Sequence, residues 1–183
     1  MPYSSNNNKQ GFTVIELVVS VAIGSVLLGI AVSMFNVQRK AFSLQDQETE
    51  MRQNMRAAMD YMSREIRMAG YGTTTLNVIT PVPPPGSTTS IIIFSADIDD
   101  DGTVDQISYN HDSTDLQIER NSQPIAENIE TLEFSEFGTN TVTGATNNVT
   151  IAITARTVKS DPTYIGDGYR RGTLTSTIDI RNR

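Results

Sequence analysis

The sequence predicts an α+β protein in which a long N-terminal helix packs on a C-terminal antiparallel β-sheet head. Apolar residues recur at helical spacings of three and four as far as Ala69, whereas alternating apolar residues dominate from Ser90 onward. Gly70, Gly72 and a proline-rich run beginning at Pro81 separate the two patterns, because glycine favours a helix end and proline cannot continue a helix. A chain of 183 residues has room for one long helix and one modest core.

These patterns divide the chain into five segments. We expect a polar leader at residues 1–11, an apolar helix half at 12–37 and an amphipathic helix half at 38–72. A linker at 73–89 then leads into a β-rich globular head at 90–183.

The apolar helix half is long enough to cross a membrane. The nineteen residues from Leu17 to Phe35 contain no Asp, Glu, Lys or Arg, and about twenty apolar residues span the hydrocarbon core of a bilayer. Glu16 stands immediately before this run. An ionisable group near the start of a spanning helix is costly unless it has a partner, so Glu16 is a candidate functional residue.

The residues around Glu16 carry a family resemblance. The run GFTVIEL, from Gly11 to Leu17, resembles the cleavage and methylation site of type IV pilins and of the pseudopilins of type II secretion systems. The resemblance implies that prepilin peptidase cuts between Gly11 and Phe12, that the new amine of Phe12 is N-methylated, and that residues 1–11 are a prepilin leader. Glu16 lies four residues on, on the same helix face as that amine, and would compensate it or the amine of a neighbouring subunit. The alternative is an uncleaved signal anchor.

The amphipathic helix half has one apolar stripe and a second resemblance. Its stripe comprises Met51, Met55, Ala58, Met59, Met62, Ile66 and Ala69, which we expect to face the head. The segment from Arg52 to Gly72 resembles PilW-like minor pilins, whose helix commonly ends in a similar Arg-x-Ala-Gly-Tyr sequence. The J-type minor pseudopilins of type II secretion carry a similar long helix.

The head shows several short runs with strand-like alternation, which predict a meandering antiparallel sheet against the helix. The runs are Ile91–Phe94, Ile107 with Tyr109, Leu116 with Ile118, Leu132 with Phe134, Val149 with Ile151 and Ile153, and Leu174 with Ile178 and Ile180. The ending from Thr177 to Arg183 resembles the last strand of PilW-like heads.

An acidic run in the head is a candidate Ca²⁺ loop. Asp97, Asp99, Asp101 and Asp105 follow the pattern D-x-D-x-D-G-x-x-D, and the Thr103 carbonyl is the fifth candidate ligand. Alternate carboxylates converge when a chain curls round a hard cation. The pattern is not a complete EF-hand, because Ser108 stands where the twelfth-position Glu is expected. An acidic hairpin turn without a metal is the alternative.

Composition and motifs argue against other functions. The net charge of -7 disfavours wrapping of nucleic acid, and the absence of cysteine removes disulfides. We expect no enzyme, since the chain has no nucleophile elbow or phosphate loop and its one histidine, His111, lies in a polar context that predicts an exposed loop residue.

Together these resemblances imply a minor pilin that enters a type IV pilus or primes its assembly. They imply a single-pass inner-membrane protein with a periplasmic head, later displayed on the pilus at the cell surface. Its partners would be prepilin peptidase, other minor and major pilins, and an unknown surface ligand. Adhesion, twitching motility and DNA uptake are alternative downstream roles, among which the sequence does not distinguish. The alternatives are a minor pseudopilin of a type II secretion system and a membrane-anchored, calcium-dependent adhesin.

Overall fold

A computed structural model describes residues 11–73, 79–80, 87–139 and 146–181. The chain divides into two compact units, an N-terminal unit up to Gln45 and a head unit from Asp46 onward. Helix α1 spans Val14–Arg67, within the two helix halves predicted at 12–37 and 38–72. The leader before Gly11 and the proline run at 81–86 lie outside the described residues.

Both ends of α1 follow from local hydrogen bonding. At the start, the Thr13 hydroxyl accepts the Glu16 amide at 3.3 Å, as a helix N-cap does. At the end, the amides of Met68 and Ala69 turn back to carbonyls three residues earlier. Gly70 and Gly72 then adopt positive φ angles of 84° and 72°, so the predicted glycine stop is confirmed.

In the N-terminal unit α1 is almost entirely exposed. It contains an 18-residue window with a mean hydropathy of 2.4, and none of that window is buried within the chain. Among the described residues, this is the one helix long and apolar enough to span a membrane. The exposed apolar side chains therefore need cover from outside the chain.

In the head unit α1 buries the predicted stripe. All seven stripe residues, from Met51 to Ala69, are buried, and Met62 and Ile66 have no exposed surface. The side chains of Met51 and Met55 lie against Gly172, where a Cβ would come within 3.0 and 3.2 Å of their methyl groups. The stripe therefore faces the head, as expected.

The described residues of the head form seven strands, which are antiparallel as predicted. They are β1 Ile91–Ala96, β2 Asp105–Asp112, β3 Gln117–Arg120, β4 Gln123–Glu127, β5 Ile129–Thr139, β6 Thr146–Arg156 and β7 Arg171–Asp179. The order is β1-β2-β3-β4 in one sheet and β5-β6-β7 in the other, so the head has two sheets where the sequence pattern indicated one meander. Both contribute to one core with α1; Phe94 pairs with Ile107 in the first sheet and Phe134 with Ile151 in the second.

Three local predictions were wrong. Strand β4 was missed, because its residues include Pro124 and only Ala126 is buried. Leu116 lies in the turn before β3 with a positive φ of 54°, so it is not a strand partner of Ile118. His111 lies in β2 and is partly buried, not in an exposed loop, because pairing with Ile118 on β3 covers it.

The chain end also departs from the pattern. Strand β7 stops at Asp179, and Ile180, although buried, follows it. Its amide donates to the Asn147 carbonyl, and the Arg181 amide donates to the Arg67 carbonyl at the end of α1. Residues 182–183 lie outside the described part.

Candidate functional site

The residues on both sides of the predicted cleavage point are exposed in the structure. Gly11 and Phe12 precede α1, and the Phe12 side chain is 80% exposed. A Cβ built on Gly11 meets no atom within 4 Å. The peptide bond between Gly11 and Phe12 therefore lies outside the helix and is exposed.

Glu16 forms a capping box with Thr13. One carboxylate oxygen of Glu16, Oε2, accepts hydrogen bonds from the Thr13 amide at 2.9 Å and the Thr13 hydroxyl at 2.8 Å. Such reciprocal bonding satisfies two groups that a helix start otherwise leaves unpaired. Phe12, Ile15, Val19 and Ser20 line a shallow hollow beside this carboxylate. Glu16 is thus a single negative charge on an otherwise apolar, exposed helix segment.

The acidic loop brings three of the four predicted aspartates together. Asp97, Asp99 and Asp101 each offer a carboxylate oxygen within 4.8 Å of the others. Asp97 is buried and accepts the amides of Asp101 at 3.2 Å and Gly102 at 3.0 Å. Gly102 has a φ of 85°, a backbone conformation that only glycine adopts without strain.

The other two predicted ligand residues, Asp105 and Thr103, make different interactions. Asp105 begins β2, where it pairs with Ala96, and it is not part of the three-carboxylate group. The amide and hydroxyl of Thr103 both donate to Asp101 Oδ1. The Thr103 hydroxyl, followed by its amide, lowers the pKa of Asp101, because both stabilise the ionised carboxylate.

This loop is built onto the end of α1. The Asp97 amide donates to the Tyr71 carbonyl at 2.9 Å, and the Tyr71 hydroxyl donates to Asp100 at 3.2 Å. That hydrogen bond raises the pKa of Tyr71, because it stabilises the protonated phenol. Gly72 packs so closely that a Cβ there would lie 2.6 Å from the Asp97 Cβ. The helix end therefore positions the first aspartate of the loop.

A buried polar cluster in the head was missed by the sequence reasoning. Glu65 is 7% exposed and accepts hydrogen bonds from the Tyr109 hydroxyl and from Arg120 Nε, the latter at 2.8 Å. Burial is the main cause that raises the pKa of Tyr109, and the bond to Glu65 adds to it, so the phenol stays protonated as a donor. The position of Glu65 between Met62 and Ile66 on the stripe was the signal that it would be buried.

Two further polar features of the described head are a contact of His111 and a groove beside α1. His111 Nε2 lies 2.9 Å from the Ile129 carbonyl, a contact that links the two sheets. A groove of about 580 Å³ lies between α1 and β4, lined by residues that include Glu50, Asn54 and Arg156. Asn54 donates to the Glu127 carbonyl at 2.8 Å across this groove, a contact that joins α1 to the end of β4.

Two sequence comparisons agree with these features. The prokaryotic N-terminal methylation motif matches residues 6–32, which include the cleavage point, Glu16 and most of the apolar helix. The chain is therefore a type IV pilin-like protein with a prepilin-type N-terminus.

A second family covers most of the head. The profile named prepilin peptidase-dependent protein B matches residues 44–178, or 135 of the 183 residues, and the chain belongs to this family. No curated protein and no solved structure matches the chain significantly. Pilin-like families are generally structural and not enzymatic.

Proposed function

We propose that this chain is a minor pilin, similar to the PilW-like proteins, that enters a type IV pilus or primes its assembly. The observation that carries the proposal is the succession of a methylation motif at 6–32 and a prepilin peptidase-dependent family match at 44–178. The exposed apolar part of α1 supports it, since such a surface needs lipid before assembly and neighbouring helices afterwards.

Processing would convert the N-terminus into an assembly element. Prepilin peptidase cuts between Gly11 and Phe12, and the amine of Phe12 is then methylated. Cleavage leaves Glu16 near a positive charge on its own chain or on the preceding subunit. A buried carboxylate is retained at a tolerable cost when it gains such a countercharge. Its capping-box bonds to Thr13 keep the carboxylate hydrogen-bonded in the unassembled subunit.

The head would determine which pilins the chain contacts and what it presents at the cell surface. In this proposal the apolar helix half holds the chain in the inner membrane with the head in the periplasm, and assembly carries the head to the cell surface. Its partners are the major pilin, other minor pilins and a surface ligand. Motility, adhesion or DNA uptake is the resulting cellular function.

We also propose that the loop from Asp97 to Asp105 holds Ca²⁺. The convergence of Asp97, Asp99 and Asp101 within 4.8 Å supports the proposal, because Ca²⁺ prefers several oxygen ligands. Asp105 and the Thr103 carbonyl would join this set when the loop closes round the ion. Bound cation would offset the repulsion among these carboxylates and strengthen the link between β1, β2 and the end of α1.

The assembly proposal is tested by deletion and by single substitutions at the native locus. Deletion and Glu16→Gln should both abolish or strongly reduce surface pili, while processed Glu16→Gln protein accumulates in the membrane. Glu50→Gln is the matched control, since Glu50 is an exposed glutamate on the same helix. Normal pili in the deletion strain, with loss of protein secretion, would instead establish the pseudopilin function. Normal pili and secretion, with calcium-dependent loss of adhesion, would establish the anchored adhesin.

A further inference from the structure

The solvent face of α1 in the head unit carries a row of arginines. Arg52, Arg56, Arg64 and Arg67 are all exposed, and they recur at helical spacings of four, eight and three. They cover about 22 Å along the helix axis and lie away from the buried methionine stripe. Arg181 adjoins the row, since its amide donates to the Arg67 carbonyl at 3.0 Å. We refer to these five residues as the arginine row.

The arginine row is not neutralised by the described part of its own chain. Other head arginines have carboxylate partners: Arg120 pairs with Glu65 at 2.8 Å, Arg170 with Glu48 at 2.6 Å and Arg171 with Glu130 at 2.6 Å. The guanidinium groups of the row make no hydrogen bond or ion pair to the described residues. Asp60 is the one exposed carboxylate between Arg52 and Arg67, since Glu65 is buried and paired with Arg120, so the row carries a net positive charge.

The charge of the row contrasts with that of the whole chain. The chain has 21 acidic against 14 basic side chains, and many of its acids lie in the β-strands and loops of the head. The net charge of -7 and the presence of Asp60 disfavour a phosphate backbone as the partner. A protein surface with a few spaced carboxylates fits better, because discrete opposite charges specify register between two proteins.

We propose that the arginine row docks against the acidic head surface of an adjacent subunit of the same filament. This proposal rests on the proposed function as a pilin, and it identifies the face of the chain that selects the neighbour. The row lies on α1, the helix that also carries the apolar helix half. Subunits that associate through that apolar half therefore have neighbours along the length of this helix. The acidic partner would neutralise arginines that have no carboxylate partner among the residues the structure describes.

Site-specific photocrosslinking in assembled filaments tests the proposal. A benzoylphenylalanine at position 60, between Arg56 and Arg64, would report the neighbour while leaving the arginines intact. We expect crosslinks that map to an Asp- or Glu-rich surface segment of another processed prepilin. In the double variant Arg56→Glu, Arg64→Glu, the crosslink yield should fall about tenfold, since the acidic surface of the neighbour would then be repelled.

Three controls make the result specific. Arg56→Gln with Arg64→Gln should give an intermediate yield, and Lys159→Glu, an exposed charge reversal outside the row, should leave the yield unchanged. Resistance of each variant to chymotrypsin, whose aromatic cleavage sites these substitutions leave unchanged, checks folding. Crosslinks to nucleic acid or lipid, no crosslink in filament-borne chains, or a yield insensitive to the charge reversals would each overturn the proposed docking.

Failure of the docking proposal differs from failure of the proposed function. Mature chains that start at Phe12, are present in sheared filaments and give no crosslink would leave the pilin function intact and overturn the docking face. Chains that retain residues 1–11 and never enter filaments would overturn both.

Discussion

The Glu65 cluster offers a quantitative test of how α1 holds the head. Substitution Glu65→Ala removes the acceptor of the Tyr109 hydroxyl, and Tyr109 has no exposed surface. An unsatisfied buried hydroxyl costs about 1–3 kcal/mol. Arg120 also loses its partner, but its side chain is 27% exposed, so water restores much of its hydration. With the small cavity left behind, we expect a loss of about 3 kcal/mol in the free energy of unfolding.

The assay is urea unfolding of the processed full-length chain in detergent, followed by the near-ultraviolet circular dichroism of its tyrosines. Glu65→Gln keeps an acceptor for Tyr109 but loses the charge opposite Arg120, so it should cost only about 1 kcal/mol. Glu50→Ala changes an exposed glutamate on the same helix and should stay within about 0.5 kcal/mol of the parent. Equal effects of Glu65→Ala and Glu50→Ala would refute the view that this cluster joins α1 to β2 and β3.

Three further predictions concern the loops. In the same unfolding assay, Gly72→Ala should destabilise the head more than Gly102→Ala. Both glycines have positive φ, but a Cβ at Gly72 would also lie 2.6 Å from the Asp97 Cβ. Equal losses in the free energy of unfolding, each of about 1–3 kcal/mol, would contradict this prediction. Isothermal titration should show Ca²⁺ binding at about 10⁻⁴–10⁻³ M, lost in Asp99→Asn and retained in the exposed control Asp115→Asn; no heat in the parent would rule out the calcium loop. Hydrogen bonds from the Arg171 side chain lower the pKa of Asp167 from 3.8 to about 2, so their stabilisation is present above pH 3.8 and is lost as the pH falls through about 2. Asp167→Asn should therefore flatten the acid dependence of the urea midpoint in that window, and an unchanged profile would show that this pair contributes nothing.

The long helix and the core strands were predictable because their signals are local and repeated. Met51 to Ile66 recur with a helical period, and two glycines with positive φ end the helix as the sequence indicated. Apolar residues recur at every second position in two of the predicted runs, Ile107 with Tyr109 and Val149 with Ile151 and Ile153, and all five are buried as that alternation indicated.

The rest depends on tertiary contacts that a linear pattern does not contain. The chain passes from the first sheet to the second at Asn128, which has a positive φ of 59° between β4 and β5, and no alternation in the sequence marks this change of sheet. Strand β4 has only one buried residue, so alternation could not reveal it. At the acidic loop the spacing identified three carboxylates that converge, but Asp105 is held by its pairing with Ala96 in the β1–β2 ladder. The partners of Glu65 lie 44 and 55 residues away along the chain.

The most direct test of the account is mass spectrometry of the mature N-terminus, in cells with and without prepilin peptidase. We expect a peptide that begins at N-methylated Phe12 in the first strain and the intact leader, with Gly11 joined to Phe12, in the second. Peptidase-dependent cleavage before Phe12 would establish that the chain is processed as a prepilin and enters the pilin assembly pathway. An intact leader in both strains would contradict the assembly function.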